Sequence, residues 1–400
     1  QTESAMSADG TIVALSGCHT PFNSRSVGGV EVWQYNDNSW NQLGQTLFGE
    51  VQPGISGTLN QIQRFGGLGQ RGISLSSDGY TLAVIAQLYS VDEDIIRTGA
   101  TYIFKYINDE WSLVQKINAI DKLSHSNDIF NSGMTGTQNN SCQLNADGTK
   151  IVIGGHDADV NTTDSGIVRT YQLSQTSLSN PVMDISGGAI TFNSQMKEDV
   201  KNYIRTPICT MHGANNRSGL GKSMDMSSDG KIWAISLDVH TDNREESVEV
   251  YERRGDTYYP LGQVLKADYE TVTNHEFGMG TNGVTLSGDG KVLIVGALAY
   301  QTMYTTDGTR VYGFVNTYRY INEQWTLFGE TSGYTTGTGN GATPLRVSIV
   351  PTNNHEVGTV FGTSTATNTT GDLVAITEFN SNSKGGIYRY DSDNDRWDFE

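Results

Sequence analysis

One short pattern occurs six times along this chain of 400 residues, and it constrains the fold more than any other feature. Each copy has a small polar turn, most often Ser-x-Asp-Gly, followed by a run of mainly apolar residues. The turns lie at 7–10, 76–79, 145–148, 227–230, 287–290 and 369–372. A supersecondary unit that recurs at irregular intervals predicts a repeat architecture with loops of variable length.

The second copy shows how the unit is expected to fold into four antiparallel strands. Residues 72–76 alternate in polarity and lead into the turn 77–79, where Asp caps the turn and Gly accepts a positive φ. The apolar run 81–86 is typical of a strand covered on both faces. An alternating strand at 100–106 follows, and after a second turn the last strand begins at Trp111.

Four-stranded sheets of this kind cannot bury both faces alone, but sheets placed around an axis pack face to face. We therefore predict an all-β fold, a six-bladed β-propeller with four antiparallel strands per blade. A seventh blade is expected if sequence before Gln1 is missing, and an open solenoid is the alternative. The chain is predicted to be one domain, 1–400, with blades at 1–50, 62–119, 130–186, 217–268, 275–330 and 343–400 and an insertion at 187–216 that holds a hairpin and a short helix.

Charge and sequons bear on location and partners. The formal net charge is −18, which repels phosphate backbones and anionic membranes, so neither nucleic acid nor direct membrane insertion is expected. The chain starts inside the first repeat, which indicates a processed or trimmed form. Four N-glycosylation sequons fit a secreted protein at the cell or virion surface: Asn139, Asn161, Asn216 and Asn368.

The fifth copy carries a resemblance to a known repeat. In chain order it contains Phe277-Gly278, Ser287-Gly288-Asp289-Gly290, Val295-Gly296-Ala297 and Tyr318. The fourth and sixth copies match in part, at 219–223 and 361–364. Over nearly its whole length the chain resembles the FG-GAP-type repeat, of which the propellers of integrin α-subunits carry a relative. The resemblance implies a β-propeller and leaves the function open.

Integrin repeats often bind calcium through a D-x-D-x-D-G loop, but here the loop is only S-x-D-G and offers too few carboxylates. Two other acidic clusters are candidate calcium ligands: Asp391, Asp393 and Asp395 near the end of the chain, and Asp157, Asp159 and Asp164 in a loop of the third blade. A plain turn between strands is the alternative for the first cluster. Glycosylation of Asn161 would compete with metal binding at the second. No other cofactor is expected.

The chain has three cysteines, and their spacing excludes a zinc cluster of the C-x-x-C kind. Cys142 and Cys209 are candidates for a disulfide between neighbouring repeats, which would leave Cys18 free. The alternative is three buried thiols.

No catalytic residue is predicted. Two G-x-G-x-x-G matches, at 67–72 and 278–283, lead into inner strands instead of helices, so they favour close packing over dinucleotide binding. His275-Glu276 and His355-Glu356 lack the second His of a zinc protease, and no G-x-S-x-G elbow occurs.

Aromatic residues fall into two groups. One recurs once per blade and is predicted to pack the outer strands: Trp40, Trp111, Tyr259, Trp325 and Trp397. The other lies in Tyr-rich loops and is predicted to contact a partner: Tyr300, Tyr304, Tyr312 and Tyr334.

These features favour a non-enzymatic extracellular propeller, an adhesion or structural module that contacts protein or glycan through loops on one rim. Two alternatives stay open. The first is a structural subunit that assembles into an extracellular filament or virion surface. The second is a glycoside hydrolase or lyase with two carboxylates facing each other at the propeller axis.

Overall fold

The computed structural model describes residues 3–22, 25–49, 68–86, 100–118, 142–155, 166–173, 209–212, 220–237, 247–255, 257–266, 277–299, 303–305, 310–311, 313–331, 334–335, 346–350, 360–379 and 385–400. Every secondary-structure element assigned within these residues is a β-strand. The fold is a six-bladed β-propeller, as predicted. The blades fall into two compact units, and the last three blades belong to the second unit, within Arg217–Glu400. In the described part of the chain, no helix has the length and hydropathy needed to cross a membrane.

Unit one contains three sheets, each with its strands in chain order. Blade one has β1 (Ser4–Met6), β2 (Ile12–Phe22), β3 (Arg25–Asn36), β4 (Ser39–Gln42) and β5 (Leu47–Phe48), which pairs with β3. Blade two has β6 (Leu68–Leu75), β7 (Thr81–Ala86), β8 (Ala100–Ile107) and β9 (Glu110–Asn118). Blade three has β10 (Cys142–Leu144), β11 (Lys150–Gly155), β12 (Ile167–Gln172) and β13 (Cys209–His212). Strand β13 lies in the range predicted as an insertion, so the predicted end of blade three at residue 186 is too early.

Unit two contains the other three blades and one additional sheet. Blade four has β14 (Met224–Met226), β15 (Ile232–Leu237), β16 (Ser247–Arg254), β17 (Thr257–Pro260) and β18 (Leu265–Lys266), which pairs with β16. Blade five has β19 (Phe277–Leu286), β20 (Val292–Ala299), β23 (Phe314–Ile321) and β24 (Gln324–Leu327). Blade six has β26 (Val360–Thr367), β27 (Leu373–Phe379), β28 (Gly385–Asp391) and β29 (Arg396–Phe399). The additional sheet consists of β21 (Met303–Thr305), β22 (Arg310–Val311) and β25 (Tyr334–Thr335).

The repeated polar turn joins the first two strands of a blade and also packs against the preceding blade. In blade two, Ser76 Oγ donates to Asp78 and accepts the N–H of Thr81 at 2.9 Å. Gly79 has a φ of +77°, and a Cβ there would lie 2.6 Å from Ile12 Cδ1 of blade one. The turn therefore needs Gly both for its backbone conformation and for close contact between blades.

The cores lie between neighbouring blades of each unit. Strand β7 is buried at all of its residues, as predicted for a strand covered on both faces. In unit one, Leu82 and Phe104 pack with Val32, while Ile85 packs with Ile153 on the opposite side of blade two. In unit two, one cluster contains Val250 and Leu293, and another contains Ile294 and Ile376. Burial of apolar surface between blades is therefore the main stabilising contribution within each unit.

A second contact, here called the outer clamp, links neighbouring blades at their fourth strands. Trp111 of blade two donates its indole N–H to the carbonyl oxygen of Leu43 in blade one at 2.8 Å. The Gln45 side chain accepts the main-chain N–H of Trp111 at 2.9 Å and donates to its carbonyl oxygen at 2.8 Å. The sequence Leu-Gly-Gln of one blade therefore holds the tryptophan of the next.

The outer clamp recurs in unit two. Trp325 donates to the carbonyl oxygen of Leu261 at 2.8 Å, and Gln263 bonds the main chain of Trp325 at 2.9 and 2.7 Å. Three glycines with a left-handed φ lie against the indole rings, and a Cβ would approach the ring atoms to 2.8, 2.7 and 2.5 Å at Gly44, Gly262 and Gly329, respectively. Trp111, Trp325 and Trp397 thus pack against the outer strand of the preceding blade, as predicted, and each has a glycine against its ring.

In blade four the aromatic residue at the outer-clamp position is Tyr258. Tyr258 pairs with Arg253 across a two-residue turn, in the same register in which Trp40 pairs with Tyr35. Tyr259, which was predicted for this position, is the next residue and is exposed. The sequence assignment was wrong by one residue because two tyrosines follow the turn.

The predicted bridge between Cys142 and Cys209 does not form. Cys142 is a buried free thiol in β10, and burial raises its pKa. Cys209 begins β13 at the opposite edge of the same sheet, with β11 and β12 between them. Three strand spacings separate the two positions by about 14 Å, whereas a disulfide needs Cα atoms within roughly 7 Å.

Candidate functional site

The order of strands gives each blade a short-turn end and a loop end. Consecutive antiparallel strands place the first and third connections at one end of the sheet and the second connection at the other, together with the segment that leaves the fourth strand. The first connection is the polar turn, and in blades one, two and five the third is a two-residue turn with left-handed φ values, such as Asp37-Asn38 or Asn108-Asp109. In these blades the longest connections therefore emerge from the loop end, where variable binding residues are usually found. Blade three differs, because its longest connection joins β12 and β13.

Blade five carries the additional sheet at its loop end, and we call this sheet the platform. Strands β21 and β22 belong to the connection between the second and third strands, and Met303 pairs with Val311. Strand β25 belongs to the segment that leaves the fourth strand, and it pairs with β21, with Tyr304 opposite Thr335. Two Tyr-rich loops that are separate in sequence thus form one sheet.

The segment that contains β25 interrupts the outer strand of blade five. In blade one this strand continues after its clamp glycine, and Leu47 pairs with Val30. In blade five the equivalent position, opposite Val315, is taken by Ile349, much later in the chain. Residues 332–346 are therefore an insertion into the outer strand.

The two ends of this insertion are held together at its base. Thr331 forms an isolated β-bridge with Val347, and its N–H donates to the carbonyl oxygen of Val347 at 2.7 Å. Arg346 forms a two-point ion pair with Glu330, with its Nε at 2.9 Å from Oε2. The hydrogen bonds from Arg346 lower the pKa of Glu330. The chain therefore leaves and re-enters the blade at one closed point.

A buried serine fixes the returning segment to the blade. Ser348 Oγ donates to the carbonyl oxygen of Phe328 at 2.9 Å and accepts the N–H of Thr317 at 3.1 Å. The N–H of Ser348 in turn donates to the side-chain oxygen of Asn316 at 3.2 Å. Because Ser348 has no solvent exposure, breaking these hydrogen bonds would leave buried polar groups unpaired and would lower the stability. The bonds therefore anchor the insertion without a contribution from its tip.

The predicted contact residues are partly placed by this geometry. Tyr304 lies in β21 and Tyr334 in β25, so the backbone brings both positions into the platform. Tyr300 and Tyr312 lie outside the described residues.

Of the candidate calcium ligands of the last hairpin, Asp391 ends β28, and Asp393 and Asp395 lie in the turn that follows. Asp391 accepts the side-chain amide of Asn394 at 2.6 Å, which lowers its pKa. Asp395 accepts the hydroxyl of Tyr390 at 2.7 Å and the N–H of Gly329 in blade five at 3.0 Å. No three His, Cys, Asp or Glu side chains in the described residues are grouped so that they could hold a metal ion. The alternative interpretation, a plain turn, fits these contacts. The other cluster, Asp157, Asp159 and Asp164, lies outside the described residues.

One sequon lies within the described residues. Asn368 is exposed and takes the place of the serine in the polar turn of blade six, which spans 368–371 and so begins one residue before the predicted 369–372. Its Oδ1 accepts the N–H of Gly371 at 2.9 Å, and its Nδ2 donates to Asp372 at 2.6 Å. Asn139, Asn161 and Asn216 lie outside the described residues, so glycosylation stays a prediction.

Asp225 is an ionisable residue that sequence reasoning missed. It lies in β14, the first strand of blade four, and its two oxygens accept the N–H groups of Leu286 and Met226, each at 2.8 Å. Burial raises its pKa to about 7, and these two hydrogen bonds oppose the rise. Leu286 belongs to the first strand of blade five, so Asp225 links two inner strands.

The position of Asp225 could have been found by aligning the repeats. It lies two residues before the polar turn begins, where blade two has Ser74 and blade five has Thr285. Ser74 Oγ likewise accepts the N–H of Leu144 in the next inner strand at 2.9 Å. This repeating role favours a structural function for Asp225. The inner strands of unit two contain no second Asp or Glu, whereas the hydrolase alternative needs two facing acids.

No protein-family model and no curated protein matches this chain. Among solved structures, the periplasmic gluconolactonase PpgL of Pseudomonas aeruginosa is similar, with a TM-score of 0.48 and 14% identity over 99% of this chain and 83% of that chain. The β-propeller domain of the trilobed protease from Pyrococcus furiosus has a TM-score of 0.40 and 8% identity, over 99% and 96% of the two chains. The Cps50 (Swd1) propeller domain of Myceliophteria thermophila has a TM-score of 0.40 and 9% identity, over 97% and 99%. Likeness at this level carries no argument about function.

Proposed function

We propose that this protein is a non-enzymatic β-propeller that binds a protein or glycan partner through the loop end of its blades, with the platform of blade five as the main contact. The observation that carries the proposal is the pairing of two distant Tyr-rich loops into one sheet. Strands that add to no blade are best explained by what they present to a partner.

The closed base of the insertion supports a binding role. A loop whose ends are fixed by the bridge of Thr331 with Val347 and by the anchor at Ser348 loses less conformational entropy when it binds. Tyrosine adds contact area and a hydroxyl group at small entropic cost. A preformed, Tyr-rich sheet therefore suits recognition better than it suits chemistry.

The proposed setting is extracellular, with a role in adhesion. The net charge of −18, the four sequons and the resemblance to FG-GAP-type repeats support this setting. Calcium bound by Asp157, Asp159 and Asp164 would stiffen another loop at the same end of its blade.

The test replaces residues 332–345 by a short Ser-Gly linker. Because Glu330, Thr331 and Arg346 stay in place, the blade is expected to keep its circular dichroism spectrum and melting temperature. Binding to an array of immobilised glycans and extracellular matrix proteins should fall at least about tenfold, which corresponds to roughly 1.4 kcal/mol.

A matched control changes the short-turn end. Replacing Asp37-Asn38 by Asn-Gly keeps the left-handed turn and should leave binding unchanged. The proposal fails if the folded platform deletion binds every ligand of the array as the parent protein does. Self-assembly that persists in the deletion would favour the filament or virion alternative.

A further inference from the structure

The register of the platform places its two tyrosines on opposite faces of the sheet. Residues directly opposite each other in antiparallel strands share a face, and successive residues of one strand alternate between faces. Tyr304 of β21 lies opposite Thr335 of β25. The next residue of β21, Thr305, lies opposite Tyr334. A ligand that lies on one face of the platform therefore meets only one of the two tyrosine positions.

One face has a row of polar residues across all three strands, here called the Arg310 row. Arg310 of β22 lies opposite Tyr304, so the row consists of Arg310, Tyr304 and Thr335. With neighbouring strands about 4.8 Å apart, the three positions span roughly 10 Å. The opposite face carries the apolar pair Met303 and Val311. The Arg310 row is thus the face whose residue types suit a polar ligand.

Arg310 provides the charge of this row. The two loops from which the platform forms, 300–313 and 332–345, contain only two charged residues, Asp307 and Arg310. A guanidinium group offers parallel N–H donors that match the two oxygens of a carboxylate. Tyrosine and threonine add hydroxyl groups that can donate and accept hydrogen bonds. The row therefore suits a ligand that has one carboxylate next to several hydroxyl groups.

The net charge of the chain limits how many acidic groups such a ligand carries. At a formal charge of −18, the protein as a whole repels polyanions such as sulfated polysaccharides. A single carboxylate at Arg310 is attracted at contact distance, whereas charges more than about 8 Å away are screened by salt. The two loops contain eight threonines, whose hydroxyl groups can donate and accept as sugar hydroxyls do, and this favours a glycan over an acidic peptide.

We propose that the Arg310 row binds a glycan with one carboxylate-bearing sugar, with Arg310 on the carboxylate and Tyr304 and Thr335 on the neighbouring sugar hydroxyls. The proposal rests on the proposed function, because it names the class of partner that the platform recognises. Since Arg310 and Thr335 belong to different loops, the row exists only where β21 pairs with both β22 and β25.

The test uses two acidic probes and their uncharged counterparts in ligand-observed NMR titrations. Sialyllactose is compared with its methyl ester, and cellobiouronic acid with cellobiose. At least one acidic probe should bind with a Kd on the order of 1 mM, and its uncharged counterpart should bind at least about tenfold more weakly. Arg310→Gln should lose the same factor for the acidic probe at an unchanged melting temperature. Arg310→Lys keeps the charge without the paired donors and should fall between the parent protein and Arg310→Gln.

The two tyrosines provide matched variants on the two faces. Tyr304→Ala removes a member of the Arg310 row and should weaken binding of the acidic probe at least about tenfold. Tyr334→Ala removes the same side chain from the opposite face and should change the Kd by less than about twofold. Asp307→Asn removes the negative charge of the two loops and should strengthen binding of an anionic ligand.

Equal losses of binding in Tyr304→Ala and Tyr334→Ala would overturn the proposal. Equal affinity for the charged and uncharged probes of each pair, or no binding of either acidic probe at about 10 mM, would also overturn it. If the platform deletion loses only protein ligands or neutral glycans, this proposal fails while the proposed function stands. The proposed function fails when the folded deletion keeps every ligand of the array.

Discussion

Two interfaces between blades can be compared, the joint of blades one and two and the joint of blades four and five. They are alike at their outer strands and differ at their inner strands. Both outer strands use Leu-Gly-Gln against tryptophan, with hydrogen-bond lengths that agree within 0.1 Å. At the inner strands, blade one has Ala5 where blade four has Asp225, and only Asp225 accepts an N–H group from the next blade.

This difference indicates which contacts between blades restrict the residue types that their positions can accept. The outer clamp depends on a close fit between an indole ring and a glycine with left-handed φ, so other residues are excluded by shape. Blade two has Gln115 where the clamp glycine would stand, and blade three has no tryptophan. The inner position needs only a small or hydrogen-bonding side chain, and it accepts alanine, serine, threonine or aspartate.

The largest effect is expected when a clamp glycine is replaced. Gly262→Ala places a Cβ at 2.7 Å from the ring of Trp325 and also strains a φ of +79°. The variant should lose about 3 kcal/mol of stability, measured by urea unfolding and by the melting temperature.

Gly255 provides the control because it has a φ of +66° and, within the described part of the chain, no atom lies within 4 Å of its Cβ position. Gly255→Ala should cost only about 1 kcal/mol, the strain of the backbone alone. Equal losses of stability in the two variants would show that contact with the indole ring adds nothing to the cost of replacing the clamp glycine.

A smaller effect is expected from the hydrogen bond of the outer clamp. Trp325→Phe removes the indole N–H and leaves the carbonyl of Leu261 unpaired at a buried site, so it should cost about 2 kcal/mol. Trp233 is a matched control, since its buried indole N–H has no hydrogen-bond partner among the residues that the structure describes. Trp233→Phe should therefore cost about 1 kcal/mol less than Trp325→Phe, and a reversed order would contradict the role of this bond.

The parts of the fold that follow local rules could be predicted from the sequence. The polar turns and apolar runs gave the first three strands of every blade, because Asp, Gly and β-branched residues act within a few positions of each other. The last strand of blade three could not be predicted, since β13 has four residues and lies far from its partner in sequence. The connection between β12 and β13 is too long for a local sequence pattern to reveal that the two strands pair.

The candidate site was predicted less completely than the fold. The Tyr-rich loops were identified by composition, but β22 and β25 have only two residues each and no readable periodicity. The closed base depends on the burial of Ser348, which is set by tertiary packing. The pKa of Asp225 likewise depends on neighbours that are distant in sequence.

The smallest effect concerns this inner position and depends on pH. The pKa of Asp225 is about 7 in the folded protein, against roughly 3.9 for an unfolded aspartate. Below pH 4 Asp225 is protonated in both the folded and the unfolded state, so it does not lower the free energy of unfolding. As pH rises from 4 to 7 the unfolded state releases its proton first, so the folded state loses stability, and above pH 7 the loss is complete.

Asp225→Ser removes this charge and keeps an acceptor, as Ser74 does in blade two. Because Asp225 keeps some contact with solvent, the variant should gain about 1 kcal/mol relative to the parent protein at pH 8 and little at pH 4. The reverse exchange, Ser74→Asp, should lose stability over the same pH range. Urea unfolding of all three proteins at pH 4, 6 and 8 measures both differences. A gain for Asp225→Ser that does not change with pH would mean that shape, and not charge, distinguishes the two joints.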